Sequence, residues 1–570
     1  MYVKASTRRT REGQVIRYLQ LAHNEWDPDA GVSRTKVLYS FGREDRIDRA
    51  AIERLVAALS KLLDSDATTL PSARDDDWTF TASRPMGGAF LLDQLWRRLG
   101  IDTAISKALT AGKRDPKAVE RVLFALTANR ALAASSKLAA TEWIEHDTHI
   151  DGLHEISDDA CYRAMDALHD IEPVLAKQVY FQVTDLLNLE VDLLFFDTTS
   201  TYFETGEADE PVARDTDGRP VDPHDPQAQT VSEDGFRSYG KSKDSRNDLP
   251  QVVVGMAVTR DGIPVRCWSW PGNTADSALI RQVKDDMREW SLSQIVWVAD
   301  RGFSSKENRR ALMAGAGGYI IGEKLRSDSP DIKAALSRQG RYATVRHNMQ
   351  VKEVKVGTAD RLVICFNPAQ AERDAAVRSE LLARLDKAIA GTDTLSTVKR
   401  AELRGKLSTK PGLNRFLRVT PGGLLRIDKQ RIATEANLDG KYLLRCSDPH
   451  LSAEDIALGY KQLLEVERGW RDMKQIIDLR PVYHRREDRI RAHVLLCWLA
   501  LLLIRIAENA TKQPWPQIRR EMQRVQLGTF TGPAGTFRKR TDLTSSQKTI
   551  LSALTLTDPP RIFDAEPTTG

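Results

Sequence analysis

The sequence has little cysteine, and what it has is scattered. Cys161, Cys267, Cys365, Cys446 and Cys497 form no Cys-x-x-Cys pair. Neither a zinc site nor a disulfide framework is indicated, and a reducing, cytoplasmic setting is expected. Long apolar runs are also lacking: none reaches the roughly 18 residues of a membrane-spanning helix. The longest, Val494 to Ile504, is ended by Arg505 and is read as a buried core helix. Met1-Tyr2-Val3-Lys4 opens no apolar secretion segment, so no membrane partner is expected. Charge of one sign is not in excess either. A net charge of +5 is weak evidence for nucleic acid binding. What remains is an ordinary globular composition, 41% apolar and 29% charged, over 570 residues, enough for several domains with sizeable cores. Basic residues do cluster locally. Arg480, Arg485, Arg486, Arg489 and Arg491 crowd one segment beside His484 and His493, and Arg519, Arg520, Arg524, Arg538, Lys539 and Arg540 form a second group.

Residues 1–75 combine β-like runs such as Val15–Leu21 with a helical stretch from about Arg49 to Leu63, a small α/β region carrying the basic patch Arg8-Arg9-Thr10-Arg11. Residues 76–190 read as helical, with Val119, Val122, Leu123 and Leu126 at helical spacing, a candidate DNA-binding region. The texture changes at Val191. Leu193-Leu194-Phe195-Phe196 is a continuous apolar run ending at Asp197, as in a strand buried on both faces. Residues 204–249 are rich in Asp, Pro, Gly and Ser and read as a long exposed excursion, partly disordered. Gln251–Val258 and Ile263–Trp270 follow, joined at Arg260-Asp261-Gly262, a hairpin signal. A helix spans about Asp276 to Trp290. A fourth strand, Ile295–Ala299, ends at Asp300, and Ser304 with Glu307 suggests a capping box for the next helix. Tyr319–Gly322 is a fifth strand. Residues 191–324 therefore read as the first part of a core, 325–440 as an insertion, 441–510 as its second part, with a strong helix over 453–478, and 511–570 as a basic C-terminal region.

Asp197 and Asp300 each follow a wholly apolar strand. A carboxylate so placed is costly to desolvate unless paired or bound to a cation. On the 453–478 helix, Tyr460, Glu467, Arg471 and Lys474 fall in an arc roughly 60° wide, apart from the core-facing Val466, Trp470, Met473 and Ile477. A glutamate among Tyr, Arg and Lys suits an anionic partner: Glu467 could hold a metal while Arg471 and Lys474 meet phosphates. The plainer alternative is a Glu467–Arg471 surface pair. Three carboxylates without sulfur favour Mg2+ or Mn2+ over zinc. Two such ions suit phosphodiester hydrolysis and transesterification.

Phe196-Asp197-Thr198-Thr199-Ser200 resembles the first acidic motif of bacterial insertion-sequence transposases, and Val298-Ala299-Asp300-Arg301-Gly302-Phe303 resembles their second. Tyr460, Glu467 and Lys474 match the helix signature of the insertion-sequence-four superfamily, with Leu463 where that signature has Arg. Arg480-Pro481-Val482-Tyr483-His484-Arg485 and Gly240-Lys241-Ser242-Lys243-Asp244 look closest to its group numbered sixteen-thirty-four. The resemblance spans about 191–505. It implies an α/β fold, an RNase H-like catalytic core with a β-rich insertion, and a DDE transposase that excises and inserts an element by a cut-and-paste route. Asp197, Asp300 and Glu467 would be catalytic and would hold two Mg2+ or Mn2+ ions. Tyr460, Arg471, Lys474 and Arg301 would face DNA, namely the terminal inverted repeats and the target, bound by a homodimer. In some relatives an insertion Trp stacks on a flipped base; residues 325–440 contain none, leaving Tyr342, Phe366 or Phe416. The alternatives are a silent DNA-binding descendant and another RNase H-like nuclease.

Overall fold

The computed structural model describes residues 2–9, 15–27, 32–43, 78–110, 115–186, 193–215, 218–222, 230–287, 290, 295–357, 360–532 and 535–567. The helix expected from Arg49 to Leu63, with Thr10 and Arg11, lies outside them. The chain divides into two compact units, one made of Trp96–Ser136 and Asp159–Asn509, the other of Met1–Leu95, Lys137–Asp158 and Ala510–Gly570.

The larger unit is built on β1 (Leu193–Tyr202), β2 (Gln251–Val258), β3 (Pro264–Pro271), β4 (Val296–Ala299) and β5 (Gly318–Glu323). Their spatial order is β3-β2-β1-β4-β5. β1, β4 and β5 are parallel, while β2 runs antiparallel to its neighbours on either side. Helix α1 (Asp276–Asp286) joins β3 to β4, and α2 (Lys306–Met313) joins β4 to β5. This is the succession expected from the sequence and the order of an RNase H-like core. Leu193 to Phe196 are at most 2% exposed because both faces of β1 are covered. On one face Leu193 lies against Gly459; on the other Phe196 meets the rings of Trp268 and Phe303. The β2–β3 turn puts Gly262 at φ 71°, which favours glycine.

The sheet does not stop at β5. Strands β6 (Ala343–Arg346), β7 (Met349–Val354), β8 (Arg361–Phe366) and β9 (Lys441–Cys446) continue it, in the order β6-β7-β8-β9-β5. The rest of the insertion is mostly helical: Pro368–Ile389, Thr397–Ser408, Pro411–Asn414 and Lys429–Ala436, with a short antiparallel pair Leu417–Val419 and Leu425–Ile427, enclose a small core of Leu385, Leu407, Leu413, Phe416, Leu417 and Leu425. The insertion thus holds more helix than the β-rich description suggests. The 22 residues of Pro368–Ile389 are dominated by Ala, Arg, Glu and Leu, which lose little side-chain freedom in a helix.

The helix expected over 453–478 is two helices, α3 (Ala453–Lys461) and α4 (Leu464–Gln475). At their junction Leu463 N–H donates to the Tyr460 carbonyl and Gln462 N–H to that of Gly459, a tighter turn than the α-helix. A single 100° reckoning from Tyr460 to Glu467 therefore slips. Val466, Trp470, Met473 and Ile477 are buried as expected. Helix α5 (Glu487–Thr511) is long and apolar enough to cross a membrane, but 94% of its apolar window is buried inside the protein. It is a core helix, whose Trp498 Nε1–H donates to the Pro264 carbonyl at 2.9 Å.

The smaller unit holds an antiparallel meander of Tyr2–Arg9, Val15–Asp27 and Val32–Arg43. It also holds a four-stranded sheet in which Thr79–Pro85 pairs with Gln526–Gly532, followed by Gly535–Arg540 and Ile562–Pro567. Thr79–Pro85 corrects the wholly helical reading of 76–190. Its partner lies more than 400 residues downstream, beyond the reach of local pattern.

Candidate active site

Asp197 does not end its strand. β1 continues to Tyr202 because β2 runs beside it from Phe195↔Val258 to Tyr202↔Gln251. The other neighbour, β4, stops at Ala299, opposite Phe196. Asp197 thus stands where one edge of β1 becomes open, and Asp300, next after Ala299, stands across from it. The carboxyl ends of parallel strands are where α/β sheets form their crevices. Burial pushes the Asp197 carboxyl up to about 6, and Asp300 and Asp276 push the same way, while Lys243 and the Thr198 N–H oppose them. Asp300 caps the turn Arg301–Phe303 by accepting from Arg301 N–H at 2.5 Å.

The helix pair α3–α4 lies on the face of the sheet that Asp197 shares. Met256, the register partner of Asp197, lies where a Cβ on Gly469 of α4 would fall, 2.6 Å away. Tyr460 of α3 donates its hydroxyl to Asp300, and burial and that carboxylate hold the phenol well above its usual pKa, so it stays protonated. Its ring stacks on Tyr442 at 6.0 Å. A Cβ on Gly322 would lie 2.4 Å from the Tyr460 oxygen, so only glycine leaves room for it. Tyr460 is therefore engaged with Asp300 rather than presented on an open surface. Glu467 and Arg471 are exposed, and among the described residues neither has an ion-pair partner, including each other. Arg301 is exposed as well. Glu467 lies on the same side of α4 as Lys474 (roughly 20° apart by helical periodicity). Among the described residues, however, no three His, Cys, Asp or Glu side chains form a ligating cluster. The structure thus brings Asp197, Asp300 and Tyr460 together and leaves Glu467 exposed on α4, outside that group.

Lys474 is half-buried. Its ammonium donates to Asp244 at 3.0 and 3.2 Å, and burial lowers its pKa against the pull of that carboxylate. Asp244 also takes Arg480 at 2.9 Å. Beside it, Lys243 Nζ donates to the carbonyl and hydroxyl oxygens of Thr198 at 2.6 and 2.5 Å. The same ammonium is 3.8 Å from Asp197 and 3.3 Å from Asp276. The Thr198 hydroxyl in turn donates to Asp276 at 2.8 Å. Sequence reasoning missed these roles. The excursion read as exposed places Lys243 and Asp244 in the site, and the only signal was Gly240-Lys241-Ser242-Lys243-Asp244 itself. The arginine-rich segment is largely spent internally: Arg480 on Asp244, Arg486 on Asp488, Arg489 on Asp166, Arg491 on Glu487. Of the aromatic candidates in the insertion, Phe416 is 2% exposed in its own core, and Tyr342 leans on Phe366 at 5.7 Å.

The family described as Transposase DDE domain matches residues 210–503, just over half of the 570. Asp300, Tyr460, Glu467, Arg471 and Lys474 fall inside that match, with Lys243, Asp244 and Asp276, while Asp197 lies just before its start. The IS1634 family transposase, N-terminal domain, matches residues 3–69. No curated protein matches the chain. One solved structure, titled "Cryo-EM structure of piggyBac transposase synaptic complex with hairpin DNA", aligns over 78% of this chain and 82% of that one. At 11% identity and a TM-score of 0.33, that likeness carries no argument. With one family covering the catalytic stretch and the other the N-terminus, the chain belongs to the DDE transposases and is of the IS1634 type.

Proposed function

We propose that this transposase cuts double-stranded DNA at the terminal inverted repeats of its element and joins the ends to target DNA by a cut-and-paste route, acting as a homodimer on DNA in the cytoplasm. Asp197, Asp300 and Glu467 are the catalytic acids. The observation that carries this reading is Asp197 itself, a half-buried carboxylate set beside Asp300 and pushed up to about 6. Such a pair favours a bound cation, which offsets both desolvation and like charge. Oxygen-only donors fit Mg2+ or Mn2+. Asp197 and Asp300 would hold the ions, with Glu467 as the third acid from α4. Two such ions supply Lewis acidity at the phosphodiester and make an attacking oxygen available at neutral pH.

The remaining work belongs to the chain. Tyr460 fixes the orientation of Asp300 by its hydrogen bond, as outer partners orient ligating carboxylates. Arg301, next in sequence to Asp300, and Arg471, one helical turn from Glu467, are both exposed and offer charge to phosphates without reading sequence. The test is incubation of the purified protein with the element's own ends, target DNA and Mg2+, followed by sequencing of products. Joined ends are the expected result. Cleavage without joining would leave only a nuclease, and binding without cleavage a silent descendant.

A further inference from the structure

A phosphodiester that reaches the acids brings its own negative charge to Asp197, Asp300 and Asp276. Some cation must meet it there. Lys474 and Arg480 are both held by Asp244. Lys243 is placed differently. Its ammonium is 3.8 Å from Asp197, so a phosphate oxygen contacting the acids comes within its reach. Two of its three N–H donors meet Thr198 oxygens, and its other contacts are Asp276 at 3.3 Å and Asp197 at 3.8 Å, so an anion drawn to those acids meets the same ammonium. Its side chain is 36% exposed. The backbone is pinned on both sides of it. Lys243 N–H donates to Ser200 Oγ at 2.9 Å, and Asp244 is clamped by Lys474 and Arg480, the latter lying over the Tyr202 ring at 4.9 Å.

We propose that Lys243 holds the phosphodiester being cut, and that Lys474 is a positioning residue that serves it at one remove by fixing Asp244. This inference rests on the DDE reading above. The test is a four-affinity cycle in Ca2+. Wild-type protein and Lys243→Met are each titrated with the element-end duplex and with the same duplex carrying an uncharged methylphosphonate at the scissile position. Removing the phosphate charge should weaken wild-type binding about tenfold, the scale of one charge-assisted hydrogen bond, and should not weaken Lys243→Met further. Arg471→Ala should still feel the modification. Equal losses in wild type and Lys243→Met would overturn the proposal and leave Lys243 a structural counter-charge. A wild type indifferent to the methylphosphonate would overturn it too. If Lys243→Met melts early, Lys243→Gln carries the same cycle, and Lys243→Arg should restore part of the coupling. Cleavage by Asp197→Ala separates the two readings. If that variant cuts normally, the acid assignment falls; if it is inert while the cycle shows no coupling, only the role of Lys243 falls.

Discussion

The two flanks of α4 carry similar charge and put it to different use. On one, Asp472 meets Arg505 at 2.6 Å, and Arg468 meets Glu508 at 2.9 Å. Arg505 is 1% exposed and bonds Glu508 as well. On the other, Glu467 and Arg471 face outward with no ion-pair partner among the described residues, and Lys474 at the end of that flank is tied to Asp244. A sequence shows both flanks as the same alternation of acids and bases. Partner geometry separates them: the first holds α4 against α5, while on the second only Lys474 is engaged among the described residues, and Glu467 and Arg471 are not. Charge without a structural employer is the charge available to a ligand.

The strongest way to break this contrast is to remove Glu467. Glu467→Ala should lose cleavage by at least about a hundredfold, since outer partners of metal ligands alone cost about 10–100-fold. Its unfolding free energy should stay within about 0.5 kcal/mol of wild type, as for an exposed position. Cleavage near the wild-type rate would show that the open flank has no catalytic part. Arg505→Ala tests the opposite flank. It strands Asp472 and leaves Glu508 with Arg468 alone, and urea unfolding should report a loss of about 3–5 kcal/mol. A loss below about 1 kcal/mol would mean the flank is not held by charge.

A third measurement sharpens the contrast through pH. The Asp197 carboxyl rises from 3.8 to about 6 on folding. Between those values the folded protein binds the extra proton, so stability falls as pH rises, by on the order of 3 kcal/mol above pH 6. Asp197→Asn should therefore be more stable than wild type at pH 7 when no divalent ion is added, with the difference closing below about pH 4. A gap independent of pH would remove the titration as its cause. The smallest effect is expected of Arg471→Ala. It should weaken binding to all duplexes alike and shallow the salt dependence by about one unit, with no change in melting. An unchanged slope would mean that Arg471 touches no phosphate.

What was legible in the sequence follows from these forces. Strands β1 and β4 stood out because burial on both faces writes continuous apolar runs, and an Asp after such a run is conspicuous. The β2–β3 hairpin was visible because Asp261-Gly262 supplies the turn. Local chemistry placed the cap of α2 one residue early: Ser305, not Ser304, accepts from Asn308 N–H. What could not be read was which distant group claims which charge. Lys474 looked free because Asp244 lies 230 residues earlier, in a segment whose Gly and Asp content resembles solvent-facing loop. In the arginine cluster, Arg480 and Arg489 are claimed by the distant Asp244 and Asp166, while Arg486 and Arg491 pair locally with Asp488 and Glu487.

The continuation of the sheet through β9 to β6 has an engineering consequence. Residues 325–440 cannot be lifted out as a cassette. β9 is hydrogen-bonded to β5 on one side and β8 on the other. Excision would leave β9 as a raw border with unpaired N–H and C=O groups, a template for self-association. A shortened enzyme would have to give that border a substitute cover, such as charged side chains or a bulge, before its activity could be compared with that of the parent.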